Sequence, residues 1–476
     1  PALSRCVRAA HMPLSFAQQR LWVVDQLDGA SAAYNMQALL NIRGDLNIAL
    51  LERAINQLIS RHEVLRTNYH TVESEPVQVI NAKARFVLKV QDLRTLSGTE
   101  QGLAIEALVL QESGAIFALS SDLMLRGLLL RVAEDEYTLV LVTHHIACDD
   151  WSMQVMAKEL CYLYRAEVEA TPVELPALPL QYVDFAVWQK ACLQDVHLQQ
   201  SQKFWQQYMD NAPSLLALPL DFPRPAERNT HGGRVSQAVS VDLLAQLQAL
   251  ANTHQVSLFM LLLAGYNLTL HRLYGLNDIV LGTDLAGRTE SQLEGLIGFF
   301  INVLPIRMQM TGEERFSELL REIKQSSLSV FDNQQMPFDL LVETLKPERS
   351  KAYQPLVQSL FVMQNVEQVA IDIPGLTIEG QESPQVDSKF DMSIFITETE
   401  GGLTLNGVYQ TALFRKRTVE GLIASYCQVL AQIAAEPDKC LSAYIVEEED
   451  KMEVETKKKS VGKGKLGKLK KLTQRS

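Results

Sequence analysis

One stretch, YTLVLVTHHIACDDWSM (Tyr137 to Met153), limits what this chain can fold into more than any other. The apolar run Leu139-Val140-Leu141-Val142 reads as a strand, and the SMQVMAKELCYLYRAEVEA segment after it reads as a helix with Trp151 and Ser152 at its entry. A strand that turns into a helix within a few residues fixes a mixed sheet-and-helix layer and exposes the connecting side chains at a sheet edge. Those side chains are His144, His145, Asp149 and Asp150. Four titratable groups stand where plain turn residues would serve.

The cluster has four readings: a metal site, a nucleophile relay, a single acid/base, or a packed histidine in a satisfied core. Adjacent strand residues point to opposite faces, so the two histidines do not easily meet one ion, and no second His/Glu pair lies nearby. Cys148 and Ser152 are the available nucleophiles, but there is no GxSxG elbow, and small buried cysteines are commonly inert. In the third reading one histidine faces a cleft, the other is buried, and an aspartate holds the turn. A neutral imidazole of pKa about 6.5 takes a proton from an amine or hydroxyl that attacks a carbonyl, which is acyl transfer without a cofactor. The neighbouring acids and Trp151 favour this reading over simple packing.

At 476 residues the chain exceeds one typical core, so two domains are expected. Its six cysteines are scattered without a CxxC pair, which argues against a disulfide scaffold or zinc finger and for a reducing, cytoplasmic setting. No apolar run reaches the roughly 18 residues of a membrane span. The chain begins PALSRCV, without a methionine or a basic-apolar leader, and is read as a piece of a longer polypeptide. A net charge of -12 sets nucleic acid aside as a partner of the body. The charge is uneven: residues 447–476 carry +4 and the first 446 carry -16. That tail reads as a solvated extension or a docking segment, with Leu466, Leu469 and Leu472 recurring every third residue.

Both halves mix strands and helices in comparable lengths. SFAQQRLWVVDQL is a turn followed by a helix, and LNIALLERAINQLISRHEVLR is a helix with Leu46, Leu50, Ala54, Leu58 and Ile59 near one face. ARFVLKVQDL reads as a strand. TPVELPALPLQYVDFAVWQ breaks the helical pattern with prolines and marks the interdomain connection, giving expected lobes of 1–180 and 181–446. In the second half, LLAQLQALANTHQVSLFMLLLAGYNLTLHRLYG predicts one or two helices and RFSELLREIKQSSLSVFDNQ another. QSLFVMQN, SKFDMSIFITE and LTLNGVYQ predict strands, the last two joined by an ETEGG hairpin.

HHxxxD followed by Trp and Ser resembles the histidine motif of the condensation domains of nonribosomal peptide synthetases, members of the chloramphenicol acetyltransferase-like superfamily. Other segments resemble further motifs of that family in order. SFAQQRLWVVDQL (Ser15 to Leu27) resembles the first, RHEVLRT (Arg61 to Thr67) the second, YVDFAVWQ the fourth and IGFFINVLPIR the fifth. MPFDLLVETLKPERSKAYQPLVQSLFVMQN resembles the last two, so the likeness spans roughly residues 12 to 446. It implies an α/β (α+β) fold of two acyltransferase-like lobes in a V-shaped pseudo-dimer with a central tunnel. It implies no cofactor bound by the domain itself. Donor and acceptor carrier proteins, within neighbouring synthetase or polyketide synthase modules, would bring substrates on phosphopantetheine arms. The acceptor amine would then attack the donor thioester.

Carried over by motif, His145 becomes the residue at the tunnel centre, as base or as the group positioning the amine. The backbone N–H after Asp149 becomes a candidate oxyanion donor. Asp149 becomes structural, paired to Arg61 or Arg66, with His144 and Trp151 in supporting roles. Ser15, Gln18, Arg20, Tyr182, Gly298, Asn302 and Arg349 are expected at the substrate. Asp150 departs from the family, which has glycine there. The expectation is that aspartate takes up the left-handed turn glycine favours and adds a carboxylate that raises the pKa of His145. ERSKAYQPL also departs, lacking the acid after Arg349. DDWS and SFAQQRLW resemble condensing rather than epimerising domains, the entry motif and SAAYNM resemble domains joining an L-configured donor to an L acceptor, and the DxxxxD of heterocyclising domains is absent. Ester formation or chain release onto a free amine or alcohol, and a catalytically silent recruiting platform, are the alternatives.

Overall fold

The computed structural model describes residues 2–28, 32–172, 174–193, 196–348, 350–364, 373, 375–381 and 386–446. The tail 447–476 and Arg349 lie outside them. The chain divides into two compact units of mixed helix and sheet.

The first unit holds residues 1–201, 286–302 and 367–385. Its elements are β1 (Met12–Pro13), α1 (Phe16–Asp28), β2 (Asn35–Gly44), α2 (Ile48–Arg61), β3 (Thr67–Val72), β4 (Glu75–Ile80), β5 (Lys89–Asp92), α3 (Gly98–Gly114), β6 (Leu125–Arg131), β7 (Glu136–His144), α4 (Asp150–Glu169) and α5 (Tyr182–Cys192). β7 is buried along all but its first residue, because helices cover both faces of its sheet, and so its sequence reads as a continuous apolar run. It pairs antiparallel with β2, from Asn35 opposite His144 to Arg43 opposite Glu136. α2 buries Leu51, Ala54, Ile55, Leu58 and Ile59, an i, i+3, i+4 stripe. Leu46, expected on that stripe, precedes the helix, and Leu50 is only half-buried. The strand expected over ARFVLKVQDL shrinks to β5.

The second unit continues with α6 (Val196–Tyr208), β8 (Gly232–Val239), α7 (Val241–Thr253), α8 (Leu258–Tyr274), β9 (Asp278–Leu285), β10 (Asn302–Gln309), α9 (Phe316–Asp332), α10 (Phe338–Leu345) and β11 (Ser359–Gln364). After β12 (Leu376–Gln381) come β13 (Met392–Thr399), β14 (Gly402–Gln410) and α11 (Lys416–Ala435). Six strands run in the order β10-β9-β11-β13-β14-β8. β13 and β14 form the hairpin read from ETEGG, with Thr399 opposite Gly402. α8 is apolar on nearly every side because it is buried on nearly every side. No single helix among the described residues is long and apolar enough to cross a membrane.

β12 belongs to the first unit. It pairs antiparallel with β2 and completes the sheet order β12-β2-β7-β6-β5. The first unit also runs past the 180/181 junction read from the prolines, because α5 is tied into it. The Tyr182 hydroxyl lies 2.8 Å from Ser15 Oγ, and Asp184 accepts from the Cys6 N–H at 2.8 Å and from Arg8 at 2.6 Å.

Candidate active site

The site grows from the end of β7. His144 closes the strand and is 3 % exposed; its ring meets Phe117 edge-on at 5.8 Å, and its Nδ1 accepts the Ile146 N–H at 3.1 Å. The chain then turns tightly: Ala147 N–H donates to His144 O, Cys148 N–H to His145 O, and His145 N–H to Tyr34 O. His145 is half-buried in this turn, its ring 5.4 Å from that of Phe299. Its Nδ1 lies 3.2 Å from the Cys148 carbonyl. A carbonyl oxygen only accepts, so Nδ1 carries the hydrogen, and the basic lone pair of the neutral ring sits on Nε2.

Asp149 caps α4 and is completely buried. Its Oδ1 accepts the Ser152 N–H at 2.8 Å and the Ser152 hydroxyl at 2.6 Å, and its Oδ2 accepts the Phe300 N–H at 3.0 Å. The cation that compensates it is Arg288, whose two terminal nitrogens each donate to one carboxylate oxygen at 3.1 Å. Both side chains are almost wholly out of water, and the guanidinium lies 4.3 Å over the Phe300 ring. This bidentate pair corrects the partner expected from sequence. Arg61 instead binds Glu159 on α4 at 3.0–3.1 Å and the Pro176 carbonyl, while Arg66 donates to the Asn81 and Ser60 carbonyls. Both arginines flank the end of α2, whose side chains face the body of α4 rather than its first turn. Arg288 was missed because it lies 139 positions from Asp149. It sits just after β9, behind Gly287 in the left-handed region (φ +66°), where a Cβ would strike the Phe300 carbonyl at 2.0 Å.

Ser15 and Gln18 are completely buried. They form a reciprocal capping box on α1, Gln18 N–H to Ser15 Oγ at 3.1 Å and Ser15 N–H to Gln18 Oε1 at 3.0 Å. The Gln18 amide also donates to Tyr69 Oη and to the Ile146 carbonyl, one residue beyond His145. Tyr182, 1 % exposed, lies 2.7 Å from the Phe299 carbonyl, and burial raises its phenol above the ordinary range. Gly298 packs so closely on Tyr182 that a Cβ would come within 1.9 Å of the ring. These four, expected at the substrate, hold the histidine turn and the 298–300 segment in place; their burial makes them scaffold. Cys148 is no nucleophile: burial, with Asp149 adding to it, drives its thiol far above its ordinary value. Among the described residues no three His, Cys, Asp or Glu side chains come together to hold a metal.

The family model for the condensation domain matches residues 8–454. The chain belongs to the condensation-domain family. Among curated relatives, a component of the linear gramicidin synthase of Brevibacillus parabrevis is 38% identical over 438 residues, covering 92% of this chain and 6% of that protein. Bacitracin synthase 3 of Bacillus licheniformis is 33% identical over 437 residues, 92% of this chain and 7% of that protein. The chain thus spans well under a tenth of these relatives' length. In fold it resembles the X-domain from teicoplanin biosynthesis (TM-score 0.84, 25% identity, 94% of this chain and 100% of that one). It also resembles the first condensation domain of the calcium-dependent antibiotic synthetase in complex with a substrate analogue (TM-score 0.74, 19% identity, 92% and 100%).

Asp150 departs from the expectation for this condensation domain. It is the first residue of α4, with right-handed helical backbone rather than the left-handed turn, so its position does not need glycine, and its side chain is exposed. An acid there also faces the positive end of the helix dipole. Trp151 donates its indole N–H to the Glu294 carbonyl at 2.9 Å and lies beside Arg288. Arg20 on α1 and Asn302 at the start of β10 are half-buried.

Proposed function

We propose that this condensation domain forms an amide bond between a carrier-borne acyl or peptidyl thioester and an aminoacyl acceptor on a second carrier protein. The observation that carries the reading is the His145 ring, held by the Cys148 carbonyl in the tautomer that leaves the basic lone pair on Nε2. The acceptor nitrogen attacks the thioester carbonyl carbon. The new C–N bond forms, the C–S bond breaks, and the proton lost by nitrogen passes through His145 Nε2 to the departing thiolate. The Asp150 N–H, at the N-terminus of α4, is the candidate donor to the developing oxyanion. Asp149, Arg288, Ser152 and Gln18 are positioning residues: they fix the turn so that the imidazole is preorganised.

Whole-synthetase context, including neighbouring modules and phosphopantetheine-bearing partners, is proposed from the named relatives. Asp150 and the fold likeness to the X-domain motivate the second reading, a recruiting platform without chemistry of its own. The test loads an acyl donor on one carrier and an amine on another and follows transfer by intact-protein mass spectrometry. Transfer by the wild type that is lost in His145→Ala supports condensation. A silent wild type beside an active Asp150→Gly variant supports the platform. Equal transfer in wild type and His145→Ala overturns the assigned role of the imidazole.

A further inference from the structure

The first unit contains an apolar pocket, part open to solvent, with about 70 Å³ of accessible space on the sheet face that carries Thr143. Leu139 and Leu141 of β7 form its floor, Met153, Met156 and Ala157 of α4 its roof, and Ile378 of β12 its far end. The volume is that of about two water molecules, yet a water needs two to four polar partners. The lining offers almost none: the Tyr164 hydroxyl on its wall accepts the Asn47 N–H at 3.0 Å, and the remaining side chains are aliphatic or sulfur-bearing. Such walls offer water almost no hydrogen-bond partners and favour hydrocarbon. Two unbranched, adaptable methionines, Met153 and Met156, border it.

Its near end adjoins the histidine turn. Met153 donates its backbone N–H to the Asp149 carbonyl at 2.9 Å, and its sulfur lies 3.7 Å from Thr143 Oγ1, two residues before His145. Between the cavity and that turn stands a side chain with three rotatable bonds. We propose that the cavity receives the end of a saturated acyl chain carried by the donor, with Met153 as the movable side chain at its mouth. The class of ligand follows from the walls; that the chain belongs to the donor rests on the condensation reading above.

Two measurements on the full 476-residue chain test this. The first labels methionine methyls with ¹³C and titrates with n-octanol or with 1,8-octanediol, whose second hydroxyl would be buried without a partner. Octanol is expected to shift the Met153 and Met156 signals, assigned by Met→Leu substitution, while the diol leaves them in place. Ala157→Leu, which fills the cavity, is expected to weaken octanol binding about tenfold or more and to keep or raise the melting temperature. Unmoved methionine signals, equal response to the diol, or unchanged binding in folded Ala157→Leu each overturn the site. The second compares octanoyl and acetyl donors on the same carrier; Ala157→Leu should lower the octanoyl-to-acetyl preference about tenfold. An unchanged preference overturns the donor assignment. If the wild type transfers neither donor, the condensation reading and the donor assignment fall together, and the octanol titration alone decides the hydrocarbon site.

Discussion

At the residue scale, the centre of this protein is a buried charge and the groups that make its burial tolerable. Asp149 takes hydrogen bonds from Ser152, Phe300 and Arg288, so removing one partner leaves an uncompensated ion. Arg288→Ala is expected to destabilise the chain by about 3–5 kcal/mol in urea unfolding. Asp149→Asn combined with Arg288→Met should cost much less than the sum of the single changes. Asp150→Gly is a different case: at a helical position glycine costs about 0.5–1 kcal/mol, so a small loss of stability should accompany any change in activity. Gly298→Ala should be severe, because its new methyl would overlap the buried Tyr182 ring, and calorimetry of the variant checks this. The histidines, aspartates and Trp151 were legible in the sequence as a cluster. Arg288 was not, because nothing local distinguishes it from other arginines.

At the scale of elements, α2 and α4 are joined by a buried cluster that holds the helix behind the site. His62 lies 2.7 Å from Glu159, which also takes Arg61. Burial alone pushes the Glu159 carboxyl up, but the hydrogen bonds and charges of His62 and Arg61 outweigh it and hold the group below its ordinary value of about 4.5. A depressed carboxylate contributes stability that is complete above its unfolded pKa and is lost as pH falls through the folded one. The wild type should therefore lose this contribution only below about pH 4.5. Glu159→Gln, less stable at neutral pH, should show a shallower acid dependence there, measured as urea midpoints against pH. The other end of α4 closes on Ala170 in the left-handed conformation (φ 52°). Ala170→Gly is expected to raise stability by about 1 kcal/mol. α1, α2, β7, α4 and the β13–β14 hairpin could be read from period, capping and turn residues. β2, with its weakly patterned MQALLNIRG, is drawn into the sheet by its neighbours β7 and β12.

At the scale of the whole molecule, the first unit is assembled from three stretches of chain. A fragment ending at Ser201 would lack Arg288, Phe300 and β12. Asp149 would lose its cation, and β2 would become an open edge. Such a fragment is expected to show no cooperative urea transition by near-ultraviolet circular dichroism, whereas the full chain does. A proline-marked connection at 180/181 is a local signal and carries no information about segments that return a hundred residues later. What the sequence by itself determined is the strand–turn–helix with its histidines, the capped helices and the ordered motifs of a condensation domain, because periodicity, capping and turn chemistry act over a few residues. Only the tertiary structure decided which arginine neutralises Asp149, that Ser15, Gln18, Tyr182 and Gly298 are scaffold, and that an apolar pocket lies behind the site. Each of these depends on which distant groups share one low-dielectric interior, where a buried charge must find its partner wherever the chain brings one.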